Sequence, residues 1–158
     1  MQKTMNYVTL TYLLNLFIYS VYFFSKEGSE VDFSKVEYML SGTLALFLIG
    51  AGYLNAKKRM TYRSVLWVFF VNILLFSLSG VFDQFGNNFN LFATGSGDSF
   101  LFTLVLIVYN GYLFPLIAEL EKSGFSLVLP VLLSFVLPSL GYIIGMKLHP
   151  NKKASAEM

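Results

Sequence analysis

The chain of 158 residues is 56% apolar and 18% aromatic, and only 13% of it is charged, about half the roughly 25% of an average soluble domain. Its 11 basic and 9 acidic residues leave five charge-free windows (4–25, 38–56, 64–82, 99–118 and 123–146), each long enough for a helix to cross a hydrocarbon core about 30 Å thick, which excludes a water-soluble domain and a disordered chain. The lack of cysteine removes disulfide scaffolds, thiolate metal sites and cysteine nucleophiles, and a net charge of +2 is too small to point to nucleic acid.

The windows predict an all-α fold, an integral membrane bundle of five transmembrane helices at about 6–24, 38–56, 64–82, 99–118 and 124–146. Backbone in lipid must bond within its own segment, and no alternating pattern fits a barrel. The spans form a single polytopic domain over 1–158, with a polar C-terminal tail at 147–158. The first has only Lys3 ahead of it and no small-residue cleavage site behind it, so it reads as a retained helix. Its Tyr12, Asn15, Tyr19 and Tyr22 are three, four and three residues apart and share one face. Such a stripe is a buried seam of the bundle, with Tyr22 in the interfacial belt, or the wall of a solute cavity.

The second helix carries Gly42, Ala45, Gly52 and Ala56 on one face, interrupted by Ile49. Small side chains let helix backbones approach closely in lipid, so this is a candidate packing face. Behind it stand Lys57, Lys58, Arg59 and Arg63, a determinant of topology. On the third helix Asn72 lies near mid-span, sharing a face with Ser79 and Asp83. The loop 83–98 interleaves Phe85, Phe89, Leu91 and Phe92 with Asn and Gly, and is either a lid or partner surface or a disordered connection.

On the fourth helix Asn110 also lies near mid-span, followed by Gly111 and Pro115. A buried amide without a partner is costly, so Asn15, Asn72 and Asn110 are expected to point inward, and the Pro115 kink could turn Glu119 inward too. Together these four are the candidate polar intramembrane site. The fifth helix contains Pro130 and Pro138, and its Gly141 and Gly145 form a second small-residue face.

Placing the 57–63 connection inside puts the N-terminus in the cytoplasm and the 83–98 loop outside. Five crossings then leave Lys3, Lys57, Lys58, Arg59, Arg63 and Lys122 inside, against Lys26, Lys35, Lys147, Lys152 and Lys153 outside. Six against five is hardly a bias. Omitting the last crossing would bring the tail inside and give nine against two.

The sequence shows no catalytic or cofactor signature, and no metal or cofactor is expected. His149 is the only histidine and sits in the tail, while Asp83 and Asp98 cap opposite ends of one loop. The expected function is a non-enzymatic accessory or interaction subunit of a membrane, and small size and short loops point to a bacterial cytoplasmic one. Its partners would be the lipid bilayer and another membrane protein or a second copy. The alternative is a passive channel or small-solute transporter built on Asn15, Asn72 and Asn110. An intramembrane enzyme is the third and weakest class.

Overall fold

The computed structural model describes residues 5–25, 34–78, 105–106, 108–117 and 128–149. Among them the fold is all-helical: α1 (Tyr7–Ser25), α2 (Lys35–Lys57), α3 (Arg63–Leu78), a 3-10 turn (Gly111–Leu113), a short α4 (Phe114–Ile117) and α5 (Val128–Leu148). Two of these, α2 with 23 residues and α5 with 21, are long and apolar enough to cross a membrane. At 1.5 Å per residue they reach about 35 and 32 Å.

Local chemistry sets the helix ends. The Asn6 side chain accepts from the Thr9 amide at 3.4 Å and opens α1. At the start of α2, Ser34 and Glu37 form a capping box: the Ser34 hydroxyl accepts from the Glu37 amide, and the Glu37 carboxylate accepts from the Ser34 amide at 2.6 Å. Helix α2 ends in a Schellman turn, with Arg59 N–H bonded to the Ala56 carbonyl at 2.9 Å and Met60 N–H to the Asn55 carbonyl at 3.0 Å. Arg59 takes φ 56°, the left-handed conformation that glycine usually fills at this position.

The 99–118 window is not one regular helix across its described part. Residues 105–106 and 108–110 are helical, but the 3-10 turn follows at once. Pro115 offers no N–H and its ring would crowd the Gly111 carbonyl four residues back. That carbonyl instead accepts from the Phe114 amide in the tighter 3-10 pattern.

Contacts between helices also fix their directions. Tyr7 meets Asn55 and Asn15 meets Leu44, so α1 and α2 are antiparallel. Asn6 meets Ser64 and Tyr12 meets Asn72, so α1 and α3 are parallel. Along the α2–α5 seam, Ile49 faces Gly141 and Tyr53 faces Gly145 and then His149, so these two helices run the same way. On the other flank Tyr62 meets Ser139 and Phe69 meets Phe135, which makes α3 and α5 antiparallel.

One end of the bundle, the near end, therefore holds the start of α1, the α2–α3 turn and the end of α5. Five alternating crossings would put the end of α5 at the opposite, far end. In the structure the end of α5 lies instead beside the end of α2, where the small-residue faces of the two helices mesh.

Large apolar side chains cover the outside. Phe17, Met39, Leu46, Trp67, Phe70 and Ile143 are exposed on the long helices, while Val8, Tyr12, Leu44, Leu48, Val65, Val68 and Leu113 form the core.

Candidate functional site

Three polar side chains from three parts of the chain meet in the core. The Tyr12 hydroxyl donates to Asn110 Oδ1 at 2.6 Å. Asn110 Nδ2 donates to Asn72 Oδ1 at 2.7 Å, and Asn72 Nδ2 donates back to the Tyr12 oxygen at 3.2 Å. The circuit is closed.

The second amide proton of each asparagine goes to its own helix, from Asn72 to the Val68 carbonyl and from Asn110 to the Leu106 carbonyl, both at 3.1 Å. Only an NH₂ group can donate to those carbonyls, which fixes the orientation of both amides. All three residues are buried, Asn72 at 0% exposure and Tyr12 and Asn110 at 1%. Every donor of the triad is used, and each oxygen accepts a bond. Around it, Tyr109 packs at 4.7 Å and Tyr112 edge-on at 5.7 Å from the Tyr12 ring.

Asn15 is buried as well but stands apart from the triad. Its Nδ2 donates to the Leu44 carbonyl at 2.8 Å, and its Oδ1 has no hydrogen-bond partner. The Tyr112 hydroxyl is likewise buried and unpartnered. Toward the far end of the bundle, the Ser41 hydroxyl donates to the Tyr112 carbonyl, and the Tyr19 ring packs over Gly111. The tyrosine stripe of α1 thus faces the 108–113 segment, with Tyr12 and Tyr19 buried and Tyr22 half-buried. Glu119, Ser79, Asp83 and the 83–98 loop lie outside the described residues.

The small-residue faces pack against each other. A Cβ on Gly141 would fall 1.8 Å from the Ile49 carbonyl oxygen, and one on Gly52 would fall 2.0 Å from the Pro138 carbonyl oxygen. Gly145 is less tight, with Ala56 Cβ at 2.7 Å and the Tyr53 carbonyl oxygen at 2.9 Å from where its own Cβ would be. Ala45 and Ala56 are buried, but nothing among the described residues lies within 4 Å of the Cβ position of Gly42, which is off this seam.

Two polar clusters had no counterpart in the sequence reading. Asn55, fully buried, donates to Asn6 Oδ1 at 2.9 Å and to the Ser64 hydroxyl at 3.0 Å, and it accepts from the Tyr7 amide at 2.9 Å. It ties the near ends of α1, α2 and α3 together. The signal was the position of Asn6, Asn55 and Ser64 at window ends expected on the same side. Glu37, 3% exposed, was legible through the Ser34-x-x-Glu37 spacing.

Outside the core, Leu16, Val105, Val108 and Tyr109 line an apolar groove of about 200 Å³ that none of the three asparagines reaches. Among the described residues no three metal-ligating side chains gather. The chain matches no family model, no curated protein and no solved structure.

Proposed function

We propose that the chain is an integral membrane protein and works as a non-enzymatic accessory subunit, through contacts of its outer helix faces with another membrane protein or a second copy. The observation that carries this reading is the closed Tyr12–Asn110–Asn72 circuit. Polar groups arranged to bind a solute keep donors or acceptors free for it, whereas these are spent on one another and fasten the bundle. The meshing of α2 with α5 leaves the outward face of α2, with exposed Thr43 and Gly50, as the surface for a partner.

We also propose four net crossings rather than five, by α1, α2, α3 and α5. Helix α3 runs toward the far end and α5 starts from it, which fits an even count of crossings. The charges support this count. Among the described residues Lys57, Lys58, Arg59, Arg63 and Lys147 stand at the near end and Lys35 at the far end. Five against one is a clear inside bias, and it puts the start of α1 and the end of α5 on the cytoplasmic side.

Because the chain has no cysteine of its own, single-cysteine variants report contacts cleanly. Thr43→Cys and Gly50→Cys should give disulfide-linked dimers, or adducts with a partner, on oxidation of native membranes. A chain that stays monomeric at both positions contradicts the interaction reading.

The solute-site reading keeps one observation in its favour, the unpartnered Asn15 Oδ1 and Tyr112 hydroxyl in the core. Flux in reconstituted liposomes that is lost in Asn15→Leu, with folding intact, would favour it.

A further inference from the structure

The near end carries a feature that topology alone does not require. Lys57, Lys58, Arg59 and Arg63 are all exposed around one short turn, and Lys147 lies in the last turn of α5 at the same end. The turn is held in place. The Tyr142 hydroxyl donates to the Met60 carbonyl at 2.5 Å, the Tyr62 hydroxyl bonds Ser139 Oγ at 2.8 Å, and the two tyrosine rings meet edge to face at 5.3 Å. Tyr53 OH and His149 Nε2, 3.0 Å apart, keep the end of α5 alongside α2.

Within this fastened turn Arg59 occupies the left-handed position at φ 56°, where glycine would be under less strain. The turn keeps the two backbone bonds it would have with glycine there, one from the Arg59 amide and one from the Met60 amide. What arginine adds is a fixed positive charge.

Directly beside the charges lies apolar surface. Trp67 is one helical turn beyond Arg63 on the same face, 58% exposed, and it stacks on Phe70 at 6.4 Å with the ring planes 18° apart. A cluster of cations at the turn, with Arg63 one helical turn from an exposed indole, matches the two parts of one kind of molecule, a phosphate-bearing headgroup and its acyl chain.

We propose that the near end binds anionic phospholipid, its phosphate held by Lys57, Lys58, Arg59, Arg63 and Lys147 and its acyl chain lying along Trp67 and Phe70. This rests on the membrane reading above. Charge complementarity selects an anionic over a zwitterionic lipid, and juxtamembrane Lys and Arg each strengthen such binding about fivefold.

Trp67 is the only tryptophan, so its fluorescence reads the site directly. The full chain is reconstituted in phosphatidylcholine vesicles containing a minor share of brominated phosphatidylglycerol, or the same share of brominated phosphatidylcholine. Quenching should be stronger with the brominated phosphatidylglycerol and should persist when inorganic phosphate is added. Arg59→Gly should lower the apparent affinity for phosphatidylglycerol about fivefold while raising the melting temperature, and Arg59→Lys should retain the affinity. Equal quenching by the two brominated lipids overturns the proposal, as does Arg59→Gly that binds like the parent chain. Displacement by inorganic phosphate alone overturns it in favour of a free anion site. If neither lipid quenches and alkaline carbonate releases the chain from membranes, the membrane reading itself fails.

Discussion

Gly141→Val should separate α2 from α5 and cost about 3 kcal/mol or more, at the upper end of overpacking penalties. The reason is what the new side chain would meet. Its Cβ falls 1.8 Å from the Ile49 carbonyl oxygen, 2.7 Å from the Ile49 carbonyl carbon and 3.0 Å from the Tyr53 amide nitrogen. All three are backbone atoms of a helix, which cannot rotate away as a side-chain tip can. The helices must move apart, and Gly52 against Pro138 and Gly145 against Ala56 then lose contact as well. In lipid such close packing is a main source of helix affinity, because water exclusion contributes little there. Gly42→Val provides the comparison, since nothing among the described residues lies within 4 Å of its Cβ position. Unfolding of both variants in mixed detergent should show Gly141→Val strongly destabilised and Gly42→Val close to the parent chain. Equal stability of the two would remove the seam from the account.

Asn110→Leu should destabilise the chain by about 2 kcal/mol, the scale expected when two interhelical bonds are lost and their partners orphaned. Leucine cannot accept from the Tyr12 hydroxyl or donate to Asn72 Oδ1, so both would remain buried without those bonds. Interhelical hydrogen bonds in membranes average only about 0.6 kcal/mol, which keeps the figure from being larger. Pairing Asn110→Leu with Asn72→Leu tests the circuit itself. In a closed ring the first substitution already opens it, so the double variant should be less destabilised than the two single effects added together. Strict additivity would mean that the three residues act separately. The solute-site reading expects a different outcome for Asn110→Leu alone, lost flux with folding unchanged.

The helices were legible in the distribution of charge: the charge-free windows of the first three expected spans and the last overlap α1, α2, α3 and α5. The inward orientation of Asn72 and Asn110 followed from the cost of an unpaired amide at depth. Their joining with Tyr12, and not with Asn15, depends on how α1 is rotated against residues 108–113, and periodicity does not encode that rotation between helices. Small residues at Gly52, Ala56, Gly141 and Gly145 were readable as packing faces, but a GxxxG-like pattern does not name its partner. The parallel course of α5 was missed because counting windows assumes alternation. The near-equal split of Lys and Arg under five crossings was the sequence feature that fitted alternation least.

The shared end of α1, α2 and α5 is the claim on which the topology, the charge asymmetry and the lipid surface all depend. Reporter fusions at the two termini, active on only one side of the membrane, test it directly. The account predicts that both termini report the cytoplasm; a C-terminus that reports the opposite side from the N-terminus, as five alternating crossings require, would contradict it.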